Sequence, residues 1–185
     1  MIGYGICGSF CTHEKSLCVL KRLTEKYNVV PIVTPSVKDT DTRFGNAVEF
    51  IEKVEKICGR RVICSIKDAE PLGPANPLEC LVIVPCTGNT LAKIARGITD
   101  TPVTMAAKAH LRCGGRLVIA LATNDAMSSN LQNIAKLLSK KNVYFVPMKQ
   151  DNPELKPHSL VADFDLVDKC IEYSFESVQM RPLFI

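Results

Sequence analysis

Leu81-Val82-Ile83-Val84 is a run of four aliphatic residues with no polar face. A strand of this kind must be covered on both sides, which is the condition of a parallel sheet sandwiched between helices. Similar short runs recur at Ile2 to Cys7, Val29 to Val33, Val62 to Ser65, Leu117 to Leu121 and Val143 to Val146. Helical patterns lie between them. Leu17, Leu20 and Leu23 share a face within Thr12 to Tyr27. Ala47, Ile51, Val54 and Cys58 do so within Phe44 to Cys58, where Gly59 is placed to stop the helix. Asn89 to Ile98, Pro102 to Cys113, Ser128 to Lys140 and the tail from Leu160 to Val178 also read as helical. Pro71 to Pro77 holds three prolines in seven residues, a composition that excludes helix and strand alike.

The alternation predicts an α/β fold: one doubly wound parallel sheet of Rossmann-like type, with helices on both faces. The expected strand order is 3-2-1-4-5-6, with the first and fourth strands flanking the switch point where such folds collect ligands. A chain of 185 residues, 46% apolar, with no repeat or linker, fits a single domain over residues 1–185. The net charge is only +4 and the basic residues form no block longer than a pair, which argues against a nucleic-acid partner. The apolar strand starts at residue 2 with no basic segment before it, so no signal peptide is expected, and no apolar run is long enough to span a membrane. Nine cysteines, odd in number, scattered and without a C-x-x-C pair, read as reduced core residues such as Cys64 and Cys80. No metal site is expected, and the compartment is a reducing cytoplasm.

Gly3, Gly5 and Gly8 match G-x-G-x-x-G, yet only Met1 and Ile2 precede the first glycine. A dinucleotide fingerprint follows a complete strand and is answered by an acidic residue after strand two. Here Gly3 and Gly5 must lie inside the strand, and strand two ends in Val33-Thr34-Pro35-Ser36 with no carboxylate. The dinucleotide reading is therefore rejected. What remains is Gly8, Ser9 and Thr12 leading into a helix, with Thr34 and Ser36 on the neighbouring loop. Glycine permits close backbone approach, the hydroxyls donate, and a helix N-terminus favours an anion, as a single phosphate would require. Ser9 and Thr12 could equally serve as helix caps.

The second switch-point loop, Pro85-Cys86-Thr87-Gly88-Asn89-Thr90-Leu91-Ala92-Lys93-Ile94-Ala95, resembles the P-x-S-A-N-T-x-x-K-I-A segment of the flavin-dependent cysteine decarboxylase family. Ala122-Thr123-Asn124-Asp125-Ala126-Met127 resembles the A-M-N-x-x-M segment of the same family. The resemblance implies FMN as cofactor, its phosphate on the Gly8 loop. Pro85, Thr87, Gly88, Asn89 and Thr90 would line the flavin, with Asn124 and Met127 in the substrate pocket. A resemblance covering nearly the whole chain is to the family of flavoprotein-like B subunits of dipicolinate synthase. It is carried by Thr42-Arg43-Phe44-Gly45, Ala69-Glu70-Pro71-Leu72-Gly73-Pro74, Met105-Ala106-Ala107-Lys108-Ala109, Thr123-Asn124-Asp125-Ala126 and Tyr144-Phe145-Val146-Pro147 with Gln150-Asp151. It implies oxidation of a dihydrodipicolinate precursor to pyridine-2,6-dicarboxylate in the mother cell during sporulation. It also implies a partner, the A subunit of dipicolinate synthase, which is a separate chain carrying NADP.

The decarboxylases carry a catalytic histidine ahead of the strand-four proline, where this chain has Pro71-Leu72-Gly73. Decarboxylase chemistry is therefore not carried over. A stand-alone FMN-dependent decarboxylase and a non-catalytic scaffold remain the alternatives. No catalytic acid or base is assigned, and His13, His110 and His158 read as packing or surface residues. Arg43 follows strand two, near the ligand edge, where a guanidinium suits a carboxylate bidentately. Asn124 has no helical role and reads as a pocket donor. A homo-oligomer built on trimers is expected from the resemblance and from the apolar tail Met180 to Ile185.

Overall fold

The computed structural model describes residues 1–75 and 78–185. Five parallel strands run in the order β2 (Val29–Val33), β1 (Ile2–Ile6), β3 (Cys80–Cys86), β4 (Arg116–Thr123) and β5 (Val143–Phe145). Val62 to Ser65, expected as the third strand, is reduced to a single parallel bridge, Ile63 to Ile32 at the outer edge of β2. Its place in the order is the predicted one, but the segment is cut short. Ser65 turns the chain by capping the short helix α4 (Ile66–Ala69) through the Asp68 N–H, and Cys64 is left exposed.

The sheet also departs from pure parallel character. Two short strands, β6 (Met148–Lys149) and β7 (Leu160–Ala162), continue it in antiparallel sense from the end of β4, giving seven strands among the described residues. The tail is therefore not one helix from Leu160. It pairs first with Ala122 and Thr123 of β4, and Asp163 then caps a turn that leads into α8 (Val167–Phe175). Helical spacing alone could not reveal the strand, because three residues are too few to display a period. Pro71 likewise sits inside a 3-10 turn, Glu70–Leu72, near its start, where a missing N–H breaks no bond. Asn76 and Pro77 of that proline-rich stretch lie outside the described residues.

Two apolar layers enclose the sheet. On one face α1 (His13–Lys26), α3 (Ala47–Cys58) and α8 bring Leu20, Leu23, Val54 and Ile171 against Tyr4, Val82 and Val118. On the other, α5 (Gly88–Arg96), α6 (Pro102–Arg112) and α7 (Leu131–Leu138) bring Leu91, Val103, Ala106 and Leu137 against Ile83, Ile119 and Phe145. Each fully buried side chain of this size contributes roughly 1.5–3 kcal/mol. Gly3 and Gly5 lie inside β1 as expected. A Cβ on Gly3 would stand 2.5 Å from Leu78 Cδ1, and one on Gly5 3.2 Å from Val103 Cγ1. Gly59 ends α3 at φ +64°.

Four of the nine cysteines, Cys7, Cys80, Cys86 and Cys170, are core residues, whereas Cys11, Cys18, Cys64 and Cys113 are exposed. The C-terminal tail is partly absorbed by its own chain. Met180 and Leu183 are buried and the Ile185 N–H donates to Met148 O, while Phe184 and Ile185 stay exposed. Among the described residues no helix is long and apolar enough to cross a membrane.

Candidate functional site

The carboxyl ends of β2, β1, β3 and β4 converge on one edge of the sheet. Backbone bonds stitch their loops together: Thr34 N–H donates to Ile6 O (3.1 Å), and Cys7 N–H to Pro85 O (3.2 Å). Helix α1 is fixed beneath them by Ser16, whose hydroxyl donates to Val84 O (2.6 Å) while Tyr4 OH donates to Ser16 O (2.8 Å).

The loop after β1 turns at Gly8 and enters α1 through a 3-10 turn, Phe10–Thr12. A Cβ on Gly8 would lie 3.0 Å from Ser36 Oγ and 3.4 Å from the Phe10 ring. Only a bare backbone fits this corner comfortably. Thr34 Oγ1 and Ser36 Oγ are 2.9 Å apart, so Gly8, Thr34 and Ser36 form one cradle. Ser9 is half-buried and, among the described residues, its hydroxyl makes no capping bond. Thr12 differs: it is buried, and its hydroxyl donates to Ser9 O (2.8 Å), which ties the loop to itself.

The loop after β3 is built otherwise. Thr87 caps α5, accepting from the Thr90 N–H (3.3 Å) and donating to the Thr90 hydroxyl (3.1 Å). A Cβ on Gly88 would fall 2.5 Å from Asn130 Nδ2, 2.6 Å from Thr123 Oγ1 and 2.7 Å from Asp125 Oδ1. Those three groups form a closed network. Thr123 and Asn130 both donate to the Asp125 carboxylate, Asn130 to each oxygen at 3.0 and 2.9 Å, and Asn133 donates to Asn130 Oδ1 (2.8 Å). Asp125, Asn130 and Asn133 were not singled out in the sequence; the only trace was two asparagines one helical turn apart. Asn89 and Asn124 are exposed at this rim, and Met127 is half-buried, its N–H donating to His158 O (3.0 Å). Beside them the Ser159 hydroxyl is buried and has no partner among the described residues. Beneath the loop, the neighbouring Cys7 thiol and burial push the Cys86 thiol well above its ordinary range, so it is protonated and no nucleophile at neutral pH.

A cavity of about 520 Å³ opens beside the first loop, lined by Phe10, Cys11, His13, Arg43, Phe44, Phe50 and Lys53 among others. The Arg43 guanidinium stacks over the Phe44 ring at 4.9 Å and is exposed. His13 stacks on Phe50 (4.4 Å), and its Nε2 lies 2.9 Å from Cys7 O, so that nitrogen carries a proton. Burial lowers the His13 pKa, and the ring is neutral at pH 7. Asn124 and Met127 do not line this cavity. Arg43 follows β2 and Asn124 follows β4, and β1 and β3 lie between those two strands in the sheet. Among the remaining lysines noted in the sequence, Lys93 pairs with Asp100 (2.8 Å).

At the switch point the structure thus brings together the bare backbone of Gly8 and the Ser9, Thr34 and Ser36 hydroxyls, with a preformed cavity alongside. The chain belongs to the Flavoprotein family, whose profile matches residues 1–171. It is 44% identical over all 185 residues, and over 92% of the relative's length, to the B subunit of dipicolinate synthase from Bacillus subtilis. The crystal structure of the same B subunit from Bacillus halodurans superposes with a TM-score of 0.91 at 44% identity, covering 100% of this chain and 95% of that one. The FMN-dependent cysteine decarboxylase SpaF shares the fold at a TM-score of 0.69 and 22% identity, over 95% of both chains.

Proposed function

We propose that this chain is a flavin-binding subunit of a dipicolinate synthase, which oxidises a dihydrodipicolinate precursor to the aromatic diacid together with a separate, NADP-carrying A subunit. The observation that carries the reading is the open cradle at Gly8, Ser9, Thr34 and Ser36, on a chain 44% identical along its whole length to a B subunit of dipicolinate synthase. The Gly8 backbone N–H and the Ser9 and Ser36 hydroxyls hold the FMN phosphate, with Thr34 fixing the Ser36 rotamer and the Ser9 N–H bonded to Cys7 O. Thr12 and the Thr87 to Thr90 turn hold the two loops in shape. Pro85, Gly88 and Asn89 present a flat rim to the flavin. Bound there, FMN supplies a two-electron acceptor.

Arg43 offers two parallel N–H donors to a substrate carboxylate, and its stacking on Phe44 limits the orientations lost on binding. Asn124, with Met127 behind it, supplies an amide donor from the far side of the crevice. Arg43 lines the cavity beside the first loop and Asn124 does not. In this reading the two meet a common substrate where two copies of the chain join, in a trimer-based homo-oligomer. The test is to assay dipicolinate formation by each of the two subunits separately and by the pair, with a visible absorption spectrum of this chain as purified. Formation by the pair, with a yellow chain, supports the proposal. A colourless chain that still activates its partner supports a scaffold instead.

A further inference from the structure

At the opposite edge of the sheet, where α5 and α6 end and α7 turns into β5, lies a second cleft of about 450 Å³. Its apolar lining is Ile94 and Leu111, with Ile98 beside them. Its rim carries Lys108, Arg112, Lys140 and Lys141, and among the described residues no carboxylate lines it. Of these, Arg112 is paired with Glu70 (3.0 Å), and Asp100, next to the lining residue Thr99, is paired with Lys93 (2.8 Å). Lys108, Lys140 and Lys141 make no ion pair among the described residues. Ile98 is left 44% exposed at the lip.

We propose that this cleft docks an acidic segment of a partner protein, a short stretch in which carboxylates flank an aliphatic side chain. Two features select that occupant. The uncompensated charge calls for several anionic groups spread along the rim, and the apolar floor calls for a side chain to cover it. A small free anion satisfies neither. Exposed ion pairs to flexible lysines contribute little singly, and the Thr104 hydroxyl, which is buried, donates to Thr101 O (3.0 Å) within its own helix cap. A polyanion without apolar groups leaves Ile98 and Leu111 in water. A peptide gathers several weak charge contacts at once while the lysine stems fold over its aliphatic residue.

The probe is a fluorescein-labelled hexapeptide of alternating glutamate and leucine, titrated into the full chain at low salt and read by anisotropy. A glutamate-only hexapeptide and a lysine–leucine hexapeptide are the comparisons. Binding of the first, at least about tenfold tighter than of the other two, is expected. Lys140→Glu/Lys141→Glu should weaken it at least about tenfold, and Ile98→Ser by a smaller factor, with unchanged circular dichroism. Protection of α6 from hydrogen exchange on peptide addition locates the contact independently. Equal affinity for the glutamate-only peptide makes the cleft a bare electrostatic surface and overturns the proposal. So does unaltered binding by the variants, or concentration-dependent self-association that Lys140→Glu/Lys141→Glu abolishes, which would assign the cleft to a second copy of the chain.

Discussion

After β1, the Ser9 hydroxyl caps nothing and Ser36 meets only Thr34. After β3, Thr87 and Thr90 satisfy each other, and Thr123, Asn130 and Asn133 close a network on Asp125. Both loops are rich in hydroxyls and amides, and both sit at the switch point. They differ in what is left over. A polar group already bonded within the protein gains nothing from a ligand, because the new bond must replace an old one. The Ser9 hydroxyl left over beside Gly8 supports our proposal that the first loop holds the phosphate. In that reading the second loop is the rigid wall against which the ligand is shaped, with Asn89 and Asn124 exposed along it. Its glycine fits the role: Gly88 lets α5 press onto the Asp125 network, whereas Gly8 leaves a backbone edge facing Ser36.

The largest effect should come from placing a negative charge among those spare donors. Ser9→Glu sets a carboxylate against the phosphate, and like charges in contact cost several kcal/mol. Flavin affinity should fall by more than about a hundredfold, measured by fluorescence titration of the unloaded chain. Undiminished affinity would erase the distinction between the loops.

Arg43 tests the cavity beside the first loop. Loss of a hydrogen bond to a charged group typically costs about 1.5–3 kcal/mol, so Arg43→Ala should raise the Michaelis constant of the assembled enzyme about ten- to a hundredfold. Arg43→Lys should recover only part, since an ammonium cannot bind a carboxylate with two parallel donors. Unchanged kinetics in both variants would move the carboxylate site to the partner subunit.

Why the two loops look alike in sequence is a matter of range. Gly8, Ser9 and Thr12 are legible because a glycine before hydroxyls at a strand-to-helix turn is a local pattern. The long apolar runs were legible for the same reason, and they fixed the parallel order, including the place of the segment that shrank to the Ile63 bridge. Asp125 takes its hydrogen bonds from Thr123 and Asn130, close by in the chain, but that this network packs against Gly88 of α5 is a long-range contact that no local pattern foretells. Thr12 shows the opposite failure. Its residue type suits a phosphate, but its proton is taken by Ser9 O. The strand at Leu160 to Ala162 was hidden because its partner is the far end of β4, and its length is below any period.

Asp125→Ala separates wall from cradle. It strips the Asn130 amide and the Thr123 hydroxyl of their shared acceptor, and stability should fall by about 1.5–3 kcal/mol. At roughly 2–4 °C per kcal/mol for a chain of this size, the melting temperature drops by several degrees. Flavin affinity should change by less than about tenfold. A loss of flavin binding as severe as that of Ser9→Glu, with melting unchanged, would mean that the second loop binds directly.

The smallest effect concerns two buried histidines, one under each end of the molecule. His13 lies below the first loop on Phe50 and Cys7 O; His110 sits at the opposite edge, its Nε2 3.0 Å from Arg116 O. Burial lowers both pKa values below the ordinary 6.5. The folded chain therefore binds fewer protons than the unfolded one as pH falls through that value. Stability declines on acidification, by at most about 1.4 kcal/mol per pH unit for each histidine, until the folded-state pKa is passed. Urea unfolding between about pH 7.5 and 5.5, above the range of ordinary carboxylates, isolates this contribution. His13→Gln and His110→Gln should each flatten the slope. Of the two, His13 touches the first loop, so only His13→Gln should also change the pH dependence of flavin affinity over the same range. If His110→Gln does so equally, the acid response belongs to the whole fold and not to the loop.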